Sequence, residues 1–213
     1  MIPPVDWIHY PLFIAAPEAD ALYALAADFP WLEKSADRAA CYFGLPYGRG
    51  EQDPEIAIPE SLAPLVARVA AVAKMPCNFV QVHRMLPGAV VLPHADPSKM
   101  VVPMLTLGQQ RTFRVAGTMP NFAHRMRQSQ RKLEYHHGFE DCSMGHGDLL
   151  VFNGGRVIHS MAPAADDENF HARGFEYRFS LLFRWTTAAM REFGPGDKAR
   201  KAGHDKQYAA VKP

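Results

Sequence analysis

The chain has 213 residues, of which 48% are hydrophobic and 21% charged, so it is long enough for one compact domain and is neither disordered nor collagen-like. Its 23 Lys and Arg residues nearly balance 22 Asp and Glu, which leaves a net charge of +1. No overall electrostatic field would therefore attract a polyanion, and nucleic-acid binding would need a local basic patch.

The N-terminal segment lacks a basic stretch and a long apolar run, so we expect neither an export signal nor a membrane-spanning helix. Three cysteines, Cys41, Cys77 and Cys142, are odd in number and widely spaced. This pattern argues against a disulfide framework and favours a reducing, cytoplasmic location.

Two segments have apolar residues at helical spacing. Residues 17–28 predict a first helix that begins near Pro17 with an acidic first turn. Residues 60–74 predict a second helix, with Ser61 as a possible cap and Pro64 in the first turn, where proline is tolerated.

After Pro76 the sequence changes to short β-rich runs separated by Gly and Pro. Together with the two flanking helices, these runs predict a mostly β fold, a double-stranded β-helix or jelly-roll that can hold a small ligand between its sheets. A basic loop, residues 119–137, interrupts the strands, and residues 194–213 form a basic C-terminal extension. The predicted strands are 79–86, 89–93, 101–107, 111–116, 148–153, 156–161 and 177–185.

His94 and Asp96 are two positions apart in an extended segment, so their side chains lie on the same side of the chain. His159, in a later predicted strand, would complete a set of two histidines and one carboxylate. Such a set binds non-haem Fe(II) and leaves positions open for a cosubstrate and dioxygen. The alternative is that these are ordinary surface or hydrogen-bonded histidines, since the chain has ten.

The last predicted strand places Arg178, Ser180, Leu182 and Arg184 on one face. The two arginines are six residues apart, or roughly 20 Å in an extended strand, which is farther than a small dicarboxylate spans. They would therefore have different tasks, unless this face is simply exposed to solvent.

Seven motifs follow one another along the chain: IPESLAPLV, NFVQVHRMLPG, HADPSK, LTLGQQRTFRV, HGDLLVFNG, HSMAP and RFSLLFR. In their order and spacing they resemble the AlkB-type Fe(II)- and 2-oxoglutarate-dependent dioxygenases, which repair alkylated nucleic acid. The resemblance implies that His94, Asp96 and His159 bind iron, that Arg178 binds the distal carboxylate of 2-oxoglutarate, and that Arg184 lies nearer the iron.

The resemblance extends to a segment upstream, RAACYFGLPYGRG, which is similar to the nucleotide-recognition lid of the family. It implies that Arg38, Tyr42, Phe43 and Tyr47 contact the substrate, with the aromatic rings able to stack on an extruded base. The alternative is that these aromatic residues belong to the core. The HGD motif, His146 to Asp148, is interpreted as a structural turn.

The sequence departs from the family pattern around the expected cosubstrate. His83 stands where the family usually has Asn, Met85 where it has Tyr, and Ser180 where it has Asn; Ser98 replaces a usual acid near the substrate. We still place His83, Met85 and Ser180 at the cosubstrate, where the lost hydrogen bonds would each be worth about 1.5–3 kcal/mol.

The resemblance implies one AlkB-like domain over residues 1–193, with N-terminal helices and lid in 1–78 and the jelly-roll core in 79–193. We expect a monomer that uses Fe(II), 2-oxoglutarate and O2 to demethylate alkylated DNA or RNA bases. The altered pocket leaves hydroxylation of a small molecule, amino acid or peptide as an alternative. A non-catalytic binding module is a third alternative, although such a module would lack a metal ligand.

Overall fold

The computed structural model describes residues 7–44, 56–96, 101–116, 139–155, 157–162 and 174–186. Within these ranges the helices are α1 (Ala16–Ala27) and α2 (Ala63–Ala73), with a 3-10 turn at Glu60–Leu62. The strands are β1 (Trp7–Tyr10), β2 (Leu32–Ser35), β3 (Arg38–Gly44), β4 (Phe79–Met85), β5 (Val91–His94), β6 (Val101–Gly108), β7 (Arg111–Ala116), β8 (Phe139–Met144), β9 (Leu149–Asn153), β10 (Ile158–Met161) and β11 (Arg178–Arg184).

Both predicted helices are confirmed. Helix α1 has Pro in its first turn and buries Ala19, Leu22 and Ala26. Helix α2 follows the 3-10 turn and ends at Lys74, which adopts the left-handed conformation with φ 52°. The expected Ser61 cap is wrong, because Ser61 lies inside the 3-10 turn and no side chain caps α2.

The strands form two sheets whose described pairings are antiparallel. The larger sheet has the order β1-β9-β6-β11-β4-β3-β2, and the smaller has the order β5-β10-β7-β8. All seven predicted strands are present, with bounds that differ by one or two residues. Four further strands, β1, β2, β3 and β8, are not among the predicted ones. They are short or carry few residues of strong β propensity, and β2 is exposed along its whole length.

Side chains from both sheets meet in one apolar cluster. The larger sheet contributes Val102, Met104, Leu150 and Phe152, and the smaller sheet contributes residues such as Phe113. The two sheets therefore enclose a hydrophobic core, as expected for the mostly β jelly-roll predicted above.

The chain divides into two compact units. The first comprises Met1–Cys41 and Val82–Leu182, and the second comprises Tyr42–Gln81 and Phe183–Pro213. Strand β1, which we assigned to the N-terminal helices and lid, pairs with β9 inside the first unit. β1 is therefore hydrogen-bonded to a strand of the jelly-roll, and the division at residue 78 stays a prediction.

The second unit is organised around Asn78. The Asn78 amide donates to the Thr186 carbonyl at 2.7 Å and accepts from the Thr186 backbone N–H at 2.8 Å. Gly44 has φ +81°, and a Cβ there would lie 2.1 Å from the Asn78 carbonyl oxygen. Only glycine can therefore occupy position 44.

No helix in the described ranges is both long enough and apolar enough to cross a membrane.

Candidate metal and cosubstrate site

Three residues that the sequence predicts as metal ligands lie together in the first unit. His94, at the end of β5, is the direct cross-strand partner of His159 on β10. Their ring centroids are 4.3 Å apart, and His94 Nε2 lies 4.0 Å from Asp96 Oδ1. One potential ligand atom from each residue lies within 4.8 Å of the other two, so a single ion could contact all three.

Hydrogen bonds orient both imidazole rings. The Nδ1 of His94 donates to the Leu92 carbonyl at 2.9 Å, and the Nδ1 of His159 donates to the Val157 carbonyl at 3.1 Å. Because a carbonyl oxygen can only accept, Nδ1 carries the proton in each neutral ring, and Nε2 keeps its lone pair for a metal. This backbone support is the usual way in which proteins orient metal-binding histidines.

The three ligands differ in their surroundings. His159 is buried between aromatic rings. Its ring centroid lies 5.6 Å from that of Phe113 and 4.7 Å from that of Phe152. The His94 side chain is 34% exposed and the Asp96 side chain 12% exposed. The cluster is therefore anchored in the core on the His159 side and accessible on the His94 side.

The donor set fits a divalent metal ion such as non-haem Fe(II). Two imidazole nitrogens and one carboxylate oxygen occupy three positions and leave the remaining positions for other ligands, which is the arrangement typical of non-haem Fe(II). A structural zinc site would need four protein ligands. Among the described residues, His94, Asp96 and His159 are the only group of three or more that could hold a metal ion.

Arg178, the predicted cosubstrate residue, is the largest fully buried side chain. Its guanidinium donates to Thr106 Oγ1 at 2.8 Å and to Ser180 Oγ at 3.3 Å. It also donates to the carbonyls of Gln109 and Met144, at 3.4 and 3.3 Å. In the part of the chain that the structure describes, these partners are all neutral oxygens, and none is a carboxylate.

The charge of Arg178 is poorly compensated. Burial, together with the neighbouring charge of Arg111, lowers the pKa of Arg178 to about 9, while Asp148 acts in the opposite direction. Arg111 is itself buried, and its guanidinium donates to the carbonyls of Ala89 and Leu86. A buried cation without an anionic partner is costly, so this position favours a bound anion such as a carboxylate.

The other residues expected at the cosubstrate differ in environment. Ser180 is buried and hydrogen-bonds Arg178, so its hydroxyl helps to orient the guanidinium. Met85 is buried in the apolar cluster between the sheets, where a methionine fills space. His83 lies half-buried on β4.

Arg184 and two of the expected substrate residues belong to the second unit. Arg184 is 7% exposed, and its carbonyl accepts from the Asn78 N–H at 3.1 Å. Tyr42 stacks in parallel on Phe79, with ring centroids 6.2 Å apart, while Phe43 is only 2% exposed. This burial of Phe43 favours the core interpretation of that ring.

Arg38, the remaining described substrate candidate, is an exposed residue of the first unit. It begins β3, and its Nε lies 3.8 Å from Asp37 Oδ1. Tyr47, Ser98, the basic loop and the C-terminal extension fall outside the described residues.

Thr106, which makes the shortest hydrogen bond with Arg178, is not among the predicted site residues. Thr106 is fully buried on β6, directly across from Ser180 on β11. Its signal in the sequence is a lone hydroxyl within the apolar run VVPMLTLG. A buried polar side chain needs a partner, and that requirement could have singled it out.

The HGD motif forms a structural turn, as expected. Asp148 accepts from the backbone N–H groups of Leu12 and Gly145, both at 2.8 Å, and from His9 Nε2 at 3.1 Å. Gly147 has φ +90°, and a Cβ there would lie 2.7 Å from the Ile14 carbonyl oxygen. The turn therefore requires glycine, and its acid ties the N-terminal segment to the core.

No protein-family model matches the chain, and no curated protein matches it significantly. Several solved structures share its fold. OsALKBH1 is 12% identical with a TM-score of 0.60, over 85% of this chain and 97% of that one. A 2OG-Fe(II) oxygenase from Burkholderia pseudomallei is 18% identical with a TM-score of 0.55, over 84% of this chain and 82% of that one.

HygX from Streptomyces hygroscopicus, solved with nickel and 2-oxoglutarate, is 11% identical with a TM-score of 0.59, over 89% of this chain and 91% of that one. A second HygX structure also holds hygromycin B. These similarities confirm the jelly-roll fold.

Proposed function

We propose that this chain is an Fe(II)- and 2-oxoglutarate-dependent dioxygenase in which His94, Asp96 and His159 hold the metal. The observation that carries the proposal is the cluster itself, in which all three ligand atoms lie within 4.8 Å of one another. With 2-oxoglutarate and dioxygen, a bound Fe(II) supplies an oxidant that hydroxylates an unactivated C–H bond.

Arg178 serves as the anchor for the distal carboxylate of 2-oxoglutarate. Its planar guanidinium can form two parallel hydrogen bonds with a carboxylate. Thr106 and Ser180 hold that guanidinium in place before the cosubstrate arrives, at 2.8 and 3.3 Å. Binding of the 2-oxoglutarate dianion then compensates the buried positive charge of Arg178. Among the described residues, only neutral oxygens contact that charge.

The chain's own groups also prepare the metal ligands. The carbonyls of Leu92 and Val157 keep the protons of His94 and His159 on Nδ1, so both rings present Nε2 without a proton transfer. The aromatic rings of Phe113 and Phe152 exclude water from around His159. Arg184 is proposed to act nearer the metal, as the family resemblance implies.

For the substrate, we propose oxidative demethylation of alkylated DNA or RNA bases. The order of motifs that resembles AlkB-type enzymes supports this, as does a neighbour named OsALKBH1. Hydroxylation of an N-methyl group gives an unstable product that releases formaldehyde and leaves the free amine. Arg38, Tyr42 and Tyr47 remain the proposed contacts to the nucleotide, with the basic loop of residues 119–137 for phosphates.

A second candidate is hydroxylation of a small molecule or peptide at the same metal site. It is favoured by the neighbour HygX, one structure of which holds hygromycin B, and by the net charge of only +1. The burial of Phe43 also favours it, because a buried ring is not available to stack on a base.

One assay separates these candidates. Succinate formation from 2-oxoglutarate is measured with Fe(II), in the presence and absence of a methylated oligonucleotide, with Asp96→Ala as the inactive control. We expect turnover that the oligonucleotide stimulates. Turnover without stimulation would favour the small-molecule or peptide candidate, and no turnover under either condition would contradict the dioxygenase proposal.

A further inference from the structure

Gly154 lies directly against the carboxylate of Asp96, in the turn that follows β9. The Gly154 carbonyl accepts a hydrogen bond from the Asp96 backbone N–H at 2.7 Å. A Cβ on Gly154 would lie 2.3 Å from Asp96 Oδ2, 2.9 Å from its Cγ and 3.0 Å from its Cβ. Non-bonded carbon atoms rest about 3.5–4.0 Å apart, so a side chain at position 154 would force the Asp96 side chain to move.

The backbone conformation does not explain this glycine. Gly44, Gly108, Gly147 and Gly174 have positive φ angles, which favour glycine, whereas Gly154 is not among them. The φ angle of Gly154 therefore does not require glycine. The close contact that a side chain at this position would make is with the Asp96 carboxylate.

The two carboxylate oxygens of Asp96 face different neighbours. Oδ1 lies 4.0 Å from His94 Nε2, while Oδ2 is the atom nearest to the open position on Gly154. A methyl group at position 154 would push Oδ2 away and turn the carboxylate. That turn would move Oδ1 out of its place beside His94.

We propose that Gly154 is a positioning residue for the metal site. It leaves space for the Asp96 carboxylate beside the turn that follows β9, and its carbonyl holds the Asp96 backbone N–H. The inference rests on the proposed metal site and adds to it a residue that contacts neither metal nor substrate.

The first test compares the parent chain with Gly154→Ala by titration with Co(II), followed calorimetrically. We expect the affinity for Co(II) to fall roughly 10- to 100-fold, the range typical when support of a metal ligand is lost. The matched control is Gly88→Ala, because a Cβ on Gly88 meets no atom within 4 Å. Parent-like Co(II) affinity in Gly154→Ala, or an equal loss in Gly88→Ala, would overturn the positioning role.

The second test measures the contact without any metal, by urea unfolding of a double-mutant cycle. Gly154→Ala should destabilise the parent but have a smaller effect in an Asp96→Ala chain, since that chain lacks Oδ2 and Cγ. Additive effects would assign the cost to the backbone and contradict the proposal. If Gly154→Ala alone does not fold, folding of the double variant supports the proposal, and its failure to fold contradicts it.

The parent titration separates this inference from the proposed function. A parent chain that binds no Co(II) overturns the metal site and the positioning role together. A parent that binds Co(II), with Gly154→Ala binding equally well, overturns only the role of Gly154.

Discussion

His94 and His159 are direct cross-strand partners on β5 and β10, with ring centroids 4.3 Å apart. Side chains that lie opposite each other on antiparallel strands are the closest neighbours that a sheet can provide. The register of this one strand pair therefore brings together two imidazoles that are far apart in the sequence. Asp96 joins them because it lies two residues beyond His94.

Removing the carboxylate from the metal site should strongly weaken metal binding while the fold is retained. Loss of a residue that only supports a metal ligand typically lowers metal affinity 10- to 100-fold. Asp96→Ala removes a ligand itself, so we expect a larger loss of affinity for Mn(II) or Co(II). The measurement is calorimetric titration, with thermal unfolding of the metal-free protein as a check on folding. The matched control is Asp141→Ala, whose carboxylate is 55% exposed and pairs with Arg114. Unchanged affinity in Asp96→Ala would contradict the assignment.

Substitution of Arg178 should separate cosubstrate binding from stability. Arg178→Lys keeps a charge but cannot form two parallel hydrogen bonds, so 2-oxoglutarate binding should weaken by about 1.5–3 kcal/mol. Arg178→Met removes a buried cation that lacks a carboxylate partner in the described residues. Its stability without cosubstrate should therefore be equal to or higher than that of the parent. Calorimetry with the Mn(II)-loaded protein and urea unfolding measure the two effects.

Arg184 provides the comparison for Arg178. Because we place Arg184 nearer the metal, Arg184→Lys should affect the Kd of 2-oxoglutarate less than Arg178→Lys does, in the same calorimetric assay. If Arg184→Lys weakens binding strongly and Arg178→Lys has no effect, the assignment of the two arginines is reversed.

Thr106→Val tests the orientation of the Arg178 guanidinium. Valine has nearly the shape of threonine but lacks the hydroxyl that accepts from Arg178 at 2.8 Å. A hydrogen bond to a charged group is worth about 1.5–3 kcal/mol. We expect the free energies lost from 2-oxoglutarate binding and from folding stability to add up to about this amount. Thr112→Val, at a half-buried position on β7, is a matched control. Parent-like binding and stability in Thr106→Val would show that this hydroxyl is dispensable.

The carboxylate of Asp148 should stabilise the fold independently of the metal. It accepts hydrogen bonds from Leu12, Gly145 and His9. Asp148→Ala would leave three partly buried donors without this acceptor, and we expect a loss of stability of about 1–3 kcal/mol in total. Urea unfolding of the metal-free protein measures this loss. Unchanged stability would mean that water replaces the carboxylate at the turn.

The basic loop tests the substrate class. If a polynucleotide is the substrate, replacing Arg125, Arg127, Arg131 and Lys132 by Gln should flatten the plot of log affinity against log salt. Each lost phosphate contact should change the slope by about 0.7–0.9. Fluorescence anisotropy with a methylated single-stranded oligonucleotide provides the measurement, and Lys34→Gln, in the exposed β2, is the control. An unchanged slope together with robust succinate formation would favour the small-molecule or peptide candidate.

Local patterns in the sequence were sufficient for a large part of the fold. Both helices and seven strands followed from apolar spacing and from the positions of Gly and Pro, which act over a few residues. The strands that were missed have weaker local signals. β2 is exposed along its whole length, and β8 carries Glu140 and Asp141 in a six-residue strand. These segments are strands because neighbouring strands pair with them. The pattern of apolar residues within one segment does not show which other segments will pair with it.

The sequence alone determined which residues could form the site, because His94 and Asp96 are close along the chain and the face that carries Arg178 follows from strand alternation. The tertiary structure added that His159 lies directly opposite His94, that Arg178 is fully buried without a carboxylate partner among the described residues, and that Gly154 leaves room for Asp96. The physical reason is that alternation specifies the face on which a side chain lies, whereas its partners depend on strand register and on packing between residues distant in the chain.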